Sequence, residues 1–355
     1  MTVGQIQSSP IMNRYARGWH CLGTAEEYKD GKIHALEVFG TRLVAFSGAS
    51  GAVSVLDAYC PHMGADLSIG AIEGDTLVCP FHHWAWNGAG RCVDIPYCKV
   101  IPPKARIKSW PVCEENRLLF VYNDPEGNPP PPEVAIPRIA ACFSNEWTPW
   151  NIKYWKFDTN CRELIDNLAD EAHFGAIHAA PNDFFANIFE GHKATQITIG
   201  TSATLTDSGL RTYNSYFGPA VHFTHMIADL DGHPLESILL LVHVPKDLNS
   251  FHQRFGVIVK KLPHYSAQQN TALAESYSQA VFDSFAQDQK IWDTKVRIDN
   301  PLLCANDGPI YHLRKWYEQF YTDVSELPPS VRERKIFTTV NKKNFSPPMH
   351  HVFES

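Results

Sequence analysis

The sequence lacks the features expected of a membrane protein or of a protein that binds nucleic acid. No apolar run approaches the roughly 20 residues that a spanning helix needs, and the longest candidate, 238–244, contains His243 and is better explained as a buried strand. Positive charge is not in excess, since 31 Lys and Arg stand against 38 Asp and Glu. Nucleic acid and anionic membranes are therefore not expected partners, because both attract basic surfaces.

Signals for export and for a disulfide framework are also missing. Residues 1–19 have neither the charged start nor the apolar stretch of a secretion signal, so we expect a cytoplasmic protein. The nine cysteines are scattered along the chain, and disulfides are rare in that compartment. We therefore expect any paired cysteines to bind metal, and we assign that role to Cys60 and Cys79 alone.

Turn and strand signals divide the chain into two parts. Residues 15–124 alternate short β-like runs with turn dipeptides, which predicts a small antiparallel β domain. Residues 125–137 form a linker, because four consecutive prolines can continue neither a strand nor a helix. Residues 138–345 combine strand-like runs with helical stretches at about 161–179 and 267–297. The expected fold class is α+β, with an all-β domain first and a mixed domain second.

Four candidate metal ligands lie in the first part. They form a C-x-H pair, sixteen intervening residues and a C-x2-H pair: Cys60, His62, Cys79 and His82. A Rieske [2Fe–2S] cluster requires this set, with two cysteines on one iron and two histidines on the other. A Cys2His2 zinc site is the alternative, but zinc motifs usually keep the cysteines in one half and the histidines in the other. The mixed halves favour the cluster, and the spacing selects His82 over His83.

A second group of candidate ligands lies in the predicted helix 160–179. Its polar residues fall on one side of a helical wheel: Asp166, Asn167, Asp170, His173 and His178. Taken alone, this pattern is more typical of a solvated helix face than of a site. The two histidines are also five residues apart, so they can share one metal only at a wide turn or a helix end.

The long predicted helix supplies the argument for a metal. Asp288 lies at the centre of an apolar stripe formed by Leu273, Tyr277, Val281, Phe285, Ile291 and Trp292. Asp283 and Asp293 lie on the opposite, polar face of the same helix. A carboxylate in a buried stripe is costly unless it is paired or bound to metal. Asp288 is therefore expected to bind a cation.

Two histidines and one carboxylate form the facial triad of non-haem Fe(II) oxygenases, which leaves positions open for O2 and substrate. We therefore predict that His173, His178 and Asp288 bind a mononuclear Fe(II). Asp170, one turn before His173, is placed to accept a hydrogen bond from a ligand imidazole and to fix its orientation. A solvent-facing Asp170 is the alternative.

The cluster motif, the proline linker, the pattern Asp-x2-His-x4-His and a distant Asp resemble, in this order, the plan of Rieske non-haem iron oxygenase α-subunits. The resemblance covers nearly the whole chain. Within that family, several strings look like the oxygenase components of bacterial 3-ketosteroid 9α-hydroxylases: ARGWHCLG (16–23), YCPHMG (59–64), FEGH (189–192), YFGP (216–219) and WYEQFY (316–321). Many other members carry Arg after the first cluster histidine, whereas this chain has Met63, as the steroid group does.

The resemblance implies an N-terminal Rieske domain and a C-terminal helix-grip (START/Bet v 1-like) catalytic domain. Chains would form a head-to-tail homotrimer in which Asp170 bridges His82 of one chain and His173 of the next. A separate flavin and iron–sulfur reductase would supply electrons from NADH, in agreement with the lack of a nucleotide-binding glycine motif here. The implied reaction is hydroxylation of a steroid ring carbon by O2. Segments 184–188 and 200–231 would help to line the hydrophobic substrate cavity.

Three alternatives remain open on the sequence. The substrate could be another sterol or a polycyclic or aromatic compound. The chain could be a Rieske electron-transfer protein, although the second domain would then have no task. It could also be a zinc-stabilised helix-grip module that holds a lipid without converting it. Metal analysis separates these classes, because the oxygenase alone needs about three irons per chain, two in the cluster and one in the triad.

We expect Cys60→Ser to lose the visible colour of the protein, because the serine hydroxyl does not replace a thiolate ligand of the cluster. Absorption spectra and iron content of the purified variant measure this. Cys98→Ser, at a cysteine without a predicted ligand role, serves as the control and should keep its colour. Unchanged absorbance in Cys60→Ser would refute the cluster assignment.

Overall fold

Short runs of β-branched and aromatic residues, separated by tight turns, form most of the fold. The computed structural model describes residue 7, residues 13–202, 206–230 and 233–345, and residue 353. Within these residues, nineteen strands form four antiparallel sheets, joined by α-helices and short 3-10 helices. No helix in the described ranges is long and apolar enough to cross a bilayer.

The strands of the first half are β1 (Gly18–Thr24), β2 (His34–Val38), β3 (Thr41–Ser47), β4 (Val53–Asp57), β5 (Ala71–Glu73), β6 (Thr76–Val78), β7 (Ala85–Asn87), β8 (Cys92–Asp94), β9 (Ser109–Trp110), β10 (Val112–Glu115) and β11 (Leu118–Asn123). Those of the second half are β12 (Asn151–Phe157), β13 (Asn182–Glu190), β14 (Lys193–Ser202), β15 (Thr206–Phe217), β16 (Val221–Leu230), β17 (His233–Asp247), β18 (Ser250–Val259) and β19 (Lys335–Asn341).

The α-helices are α1 (Ala172–His178), α2 (Ala267–Trp292) and α3 (Ile310–Glu318). The 3-10 helices are Ala25–Tyr28, Leu67–Ile69, Pro132–Val134, Ala140–Phe143, Cys161–Glu163, Ile165–Leu168, Gln319–Tyr321, Val324–Glu326 and Pro329–Arg332.

Three small sheets precede the proline-rich segment, with strand orders β2-β3-β4-β9, β5-β6-β7-β8 and β1-β11-β10. The first two enclose a core that includes Phe46, Leu56, Leu77 and Trp86. The predicted small antiparallel β domain is confirmed. Its β4–β5 and β6–β7 connections contain the two halves of the cluster motif.

The second half forms one eight-stranded sheet of order β12-β18-β17-β16-β15-β14-β13-β19. Helix α2 lies across one face of it, where Val281 and Phe285 pack against Leu239 and Phe255. A long helix held against an antiparallel sheet is the helix-grip arrangement, and the predicted α+β fold class is confirmed.

The opposite face of the eight-stranded sheet carries the three-stranded sheet of the first half. Alternation along β17 makes this possible, because successive strand residues point to opposite faces. Leu239 belongs to the core beneath α2, whereas Leu240 and Val242 belong to a second core with Trp19 of β1 and Phe120 of β11. The two halves of the chain therefore share a continuous apolar core.

The predicted helix at 161–179 is not a single helix. Two 3-10 helices come first, and the α-helix begins only at Ala172. The carbonyl of Leu168, which a continuous helix would pair with the N–H of Ala172, instead accepts hydrogen bonds from the side chains of Asn187 (2.7 Å) and Gln196 (2.8 Å). The prediction of one regular helix with its polar residues on one side was therefore wrong.

Helix α2 follows its prediction more closely. It ends at Trp292 rather than near residue 297. Asp283 and Asp293 are exposed, as the wheel predicts. Ile291 is 48% exposed, so its inclusion in the buried stripe was wrong. The other residues of the stripe pack in the core between α2 and the sheet, and Ile291, one residue before the last of the helix, is not part of that core.

We expect Leu240→Ala to lower the free energy of unfolding by about 2–5 kcal/mol, because it leaves a cavity in the core between the two halves. Leu240 is fully buried and Leu302 fully exposed, so Leu302→Ala is the matched control, with a change within about 0.5 kcal/mol. Urea denaturation of both variants provides the measurement. Equal stabilities would contradict a shared core.

Candidate metal centres

Two loops of the first half bring the four predicted cluster ligands together. Cys60 and Cys79 are buried, and the rings of His62 and His82 meet edge-to-face with centroids 4.7 Å apart. The N–H of Gly64 donates to the carbonyl of Cys60, which closes the first loop (2.8 Å). Gly64 has φ +78°, a left-handed conformation that glycine adopts without strain.

The second loop turns in the same way but without a glycine. His83 adopts φ +56°, its N–H donates to the carbonyl of Cys79, and its side chain is exposed. The side chain of His83 is therefore in contact with solvent, whereas His82 faces His62. This geometry supports the choice of His82 over its neighbour.

The four side chains fit a group that binds thiolates and imidazoles together. Burial raises the pKa of the Cys60 thiol to about 11, and the neighbouring Cys79 thiol adds to this effect. Nδ1 of His82 is buried and has no hydrogen-bond partner among the described residues. Buried polar atoms normally have a partner, and a bound iron–sulfur cluster would supply one for this nitrogen.

His173, His178 and Asp288 form the second centre. One ligand atom from each lies within 4.8 Å of the other two, and Nε2 of His178 is 3.2 Å from Oδ2 of Asp288. Two histidines five residues apart come close together here because α1 ends at His178 and Ala179 adopts a left-handed conformation. The end of α1 is the helix end that this spacing requires for a shared metal. Within the described part of the chain, these three side chains form a group that could hold a metal ion.

Hydrogen bonds at Nδ1 fix the orientation of both imidazoles. Nδ1 of His173 donates to the main-chain carbonyl of Asp170 (2.6 Å). Nδ1 of His178 lies 3.2 Å from Oε1 of Gln287 and 3.1 Å from Oγ of Ser284. A proton on Nδ1 leaves the lone pair on Nε2 free for a metal.

The role of Asp170 differs in detail from the prediction. The acceptor for the imidazole is its main-chain oxygen, while its carboxylate accepts from the N–H of His173 (3.2 Å) and lies 3.9 Å from Nδ1. The carboxylate is 37% exposed. It therefore remains accessible beside the site.

The pKa values of the two histidines shift in opposite directions. Burial lowers the pKa of His173. Burial also acts to lower the pKa of His178, but the hydrogen bond from its ring to Asp288 and the charge of that carboxylate raise it overall. A cation bound between these side chains would take the place of that proton.

Ion pairs hold the loop that precedes α1. Asp166 accepts two hydrogen bonds from Arg314 of α3, at 2.9 and 2.6 Å, and lies 3.7 Å from Nζ of Lys295. At Gly308, a Cβ atom would lie 1.9 Å from the carbonyl oxygen of Ala169. This close approach requires glycine and places the loop against α3.

Sequence reasoning missed the roles of three residues of this site. Asp166 was assigned to a polar helix face, but its partner Arg314 is 148 positions away, so no local pattern could reveal it. Ser284 lies four residues before Asp288 on α2, a spacing that places both side chains on one face and could have indicated the contact. Gln287 is adjacent to Asp288, and no helical spacing to that ligand indicates its role.

A cavity adjoins the three ligand side chains. Its apolar wall includes Phe174, Leu239, Leu241, Phe255, Phe285 and Trp292. Residues of β14, β15 and β16, several of them polar, also line the cavity and form its floor. The cavity suits a hydrophobic molecule that also forms a few hydrogen bonds.

The two segments expected to line this cavity behave differently. Within 200–231, the cavity is lined by Gly200, Thr201, Leu210, Thr212, Asn214, Tyr216, His222, Thr224 and Met226; residues 203–205 and 231 lie outside the described residues. The segment 184–188, all of it described, does not line the cavity. Phe184 and Ala186 pack into a small core on the other side of the sheet, so that expectation was wrong.

Comparisons with known proteins agree with this geometry. A family model described as a Rieske [2Fe-2S] domain matches residues 18–111, and one described as a 3-ketosteroid 9alpha-hydroxylase C-terminal domain matches residues 121–321. An oxygenase component of 3-ketosteroid-9-alpha-monooxygenase from Rhodococcus rhodochrous is 47% identical, covering 92% of this chain and 87% of the relative. One from Mycobacterium tuberculosis is 44% identical, covering 94% and 88%.

A solved structure shows the same fold at lower identity. NdmA of Pseudomonas putida CBB5, solved with caffeine, superimposes with a TM-score of 0.67 at 18% identity, covering 85% of this chain and 90% of that one.

We expect Gln287→Leu combined with Ser284→Ala to weaken Fe(II) binding about 10- to 100-fold, because the His178 ring loses both acceptors at Nδ1. Competition with a chelator measures the affinity. Gln268→Leu, at an exposed position in the first turn of the same helix, is the matched control. Unchanged affinity in the double variant would show that these side chains do not orient the ring.

Proposed function

The chain belongs to the 3-ketosteroid 9α-hydroxylase family of Rieske oxygenases, and on that basis we propose that it hydroxylates a ring carbon of a 3-ketosteroid. It is the oxygenase component of a Rieske-type monooxygenase, with a [2Fe–2S] cluster and a mononuclear non-haem iron as cofactors. The observation that carries the proposal is the convergence of His173, His178 and Asp288 beside an apolar cavity.

The proposed ligands follow from the two centres. Cys60 and Cys79 would hold one iron of the cluster, and His62 and His82 the other. His173, His178 and Asp288 would hold the mononuclear Fe(II). When bound, the cluster supplies single electrons and the mononuclear iron activates O2, so that one oxygen atom enters a C–H bond and the other leaves as water.

The residues of the chain prepare this site in three ways. The acceptors at Nδ1 of His173 and His178 keep both Nε2 atoms directed at one point. The carboxylate of Asp288, whose side chain is 12% exposed, supplies negative charge in an apolar surrounding and so favours a cation there. All three ligands approach from α1 and α2, which leaves the cavity side open to substrate.

The cavity wall supports a hydrophobic substrate. Aromatic side chains from α2 and β18, Phe285, Trp292 and Phe255, exclude water and offer a broad apolar surface. The relatives named as 3-ketosteroid monooxygenases favour a steroid over a smaller aromatic compound. The proposed substrate is therefore a 3-ketosteroid.

An oxygenase component needs a reductase as its partner, and we propose a separate flavin and iron–sulfur protein that is driven by NADH. We also propose a head-to-tail homotrimer in the cytoplasm, in which Asp170 of one chain approaches His82 of the next. Two features support the trimer. The carboxylate of Asp170 is accessible, and apolar side chains beside the cluster loops are exposed, namely Tyr59, Met63 and Phe81.

The function is tested by O2 uptake with NADH and a surrogate reductase, using a panel of 3-ketosteroids beside smaller aromatics. We expect steroids to stimulate uptake and to yield a hydroxylated product, and the aromatics to do neither. Stimulation by aromatics alone would favour a different substrate class, and the absence of any stimulated uptake would favour a pure electron-transfer protein.

We expect Asp288→Ala to keep the cluster absorbance but to lose hydroxylation, because the mononuclear iron loses its carboxylate ligand. Iron content should fall from about three to about two per chain. Asp283→Ala, at an exposed position on the same helix, is the control and should retain both iron and activity. Product formation by Asp288→Ala would show that another carboxylate binds the iron.

A further inference from the structure

A strip of polar side chains crosses the floor of the cavity on β14, β15 and β16. It consists of Gln196, Thr198, Thr212, Asn214 and Thr224, all of them buried and all lining the cavity. Their hydrogen bonds run mainly within the strip. The fold therefore places a connected polar network in a cavity that is otherwise lined largely by apolar side chains.

Most donors of this network are used within the protein. Asn214 donates to Gln196 and to Thr212, and accepts from Thr224. Gln196 donates to the carbonyl of Leu168. Because these amides have their partners, they gain little from a ligand.

The Thr198 and Thr212 hydroxyls together have one hydrogen without an acceptor among the described residues. Their oxygens are 2.6 Å apart, so one hydroxyl donates to the other. The pair has two hydroxyl hydrogens and shares a single bond, and Asn214 reaches Thr212 as a donor rather than as an acceptor. Within the described part of the chain, no acceptor is found for the second hydrogen. One hydroxyl donor therefore remains for a ligand.

His222 on β16 is a second incomplete group in the same cavity. Its ring stacks on Tyr216 with centroids 4.4 Å apart and an angle of 6°, and both ring nitrogens lack a hydrogen-bond partner among the described residues. Burial lowers the pKa of His222 to about 3, so the ring is neutral, with one donor and one acceptor nitrogen. A buried imidazole without partners is costly unless a ligand or water completes it.

The two incomplete groups lie apart along the strands. His222 is directly opposite Tyr216 on β15, and Thr212 precedes Tyr216 by four residues on that strand. At about 3.3 Å per residue, the separation along the strand is about 13 Å. Between them, Asn214 and Thr224 satisfy each other. The cavity therefore offers a hydrogen bond at each end of an otherwise satisfied floor.

We propose that His222 and the Thr198–Thr212 pair are specificity-determining residues, which select substrates that carry a hydrogen-bonding oxygen at each end of a rigid fused-ring skeleton. This inference rests on the proposed function and extends it to the residues that recognise the two ends. His222 donates to a ketone, or both donates to and accepts from a hydroxyl. The threonine pair donates to the oxygen at the other end.

The test measures dissociation constants of the iron-loaded enzyme by equilibrium dialysis. The probes are a steroid with ketones at carbons 3 and 17 and two analogues in which one or the other ketone is replaced by CH2. We expect the diketone to bind about fivefold or more tightly than either analogue, as the loss of one hydrogen bond implies.

Each variant should remove the preference at one end alone. His222→Phe should weaken the binding of the diketone and of one monoketone but leave the binding of the other monoketone unchanged. His222→Gln should restore part of the lost affinity. Thr198→Val with Thr212→Val should show the complementary pattern. Thr195→Val is the matched control, since Thr195 pairs with Ser215 and does not line the cavity.

The possible failures are distinguishable. Recognition of the two ends is overturned if a substitution raises all three dissociation constants equally, or if it leaves the ratios between them unchanged. Either result counts even if the steroid is hydroxylated. Water as the sole partner of His222 would give the second of these results. If the wild-type enzyme binds none of the three steroids, the proposed substrate class fails together with this inference.

Discussion

The buried carboxylate of Asp288 constrains most of the structure around it. A negative charge on the apolar face of α2 requires a cation or protonated partners, and α1 provides two imidazoles at this position. For these to converge, α1 must be short and must end at His178, and the loop before it must be held firmly. The ion pair of Asp166 with Arg314 and the bonds to the carbonyl of Leu168 supply that support.

Much of the site could be predicted because its ligands are chemically unusual in their surroundings. Mixed Cys and His pairs identify the cluster loops, and Asp288 stands out within an apolar stripe. The break of the helix before Ala172 could not be predicted, because it depends on Asn187 and Gln196, which reach the Leu168 carbonyl only after the sheet has formed. Contacts between distant residues override local helical preference there.

The orientation of the ligands shows the same limit at atomic scale. The sequence placed Asp170 beside a ligand histidine, but it could not distinguish its carboxylate from its main-chain oxygen, which is the atom that holds the His173 ring. Ser284 and Gln287 were missed because a polar residue near a ligand on a helix is usually solvated. The turn geometry of α2, once known, places both against His178.

The eight-stranded sheet separates two tasks between its faces. One face forms the cavity, and the other packs against the sheet of the cluster domain through Leu240, Val242, Trp19 and Phe120. Domains joined through a large apolar interface do not swing freely. The cluster therefore cannot commute between a donor and an acceptor as a tethered carrier would. The position of the cluster loops relative to the catalytic domain is therefore fixed within the chain, and solvent viscosity has no hinge on which to act during electron delivery.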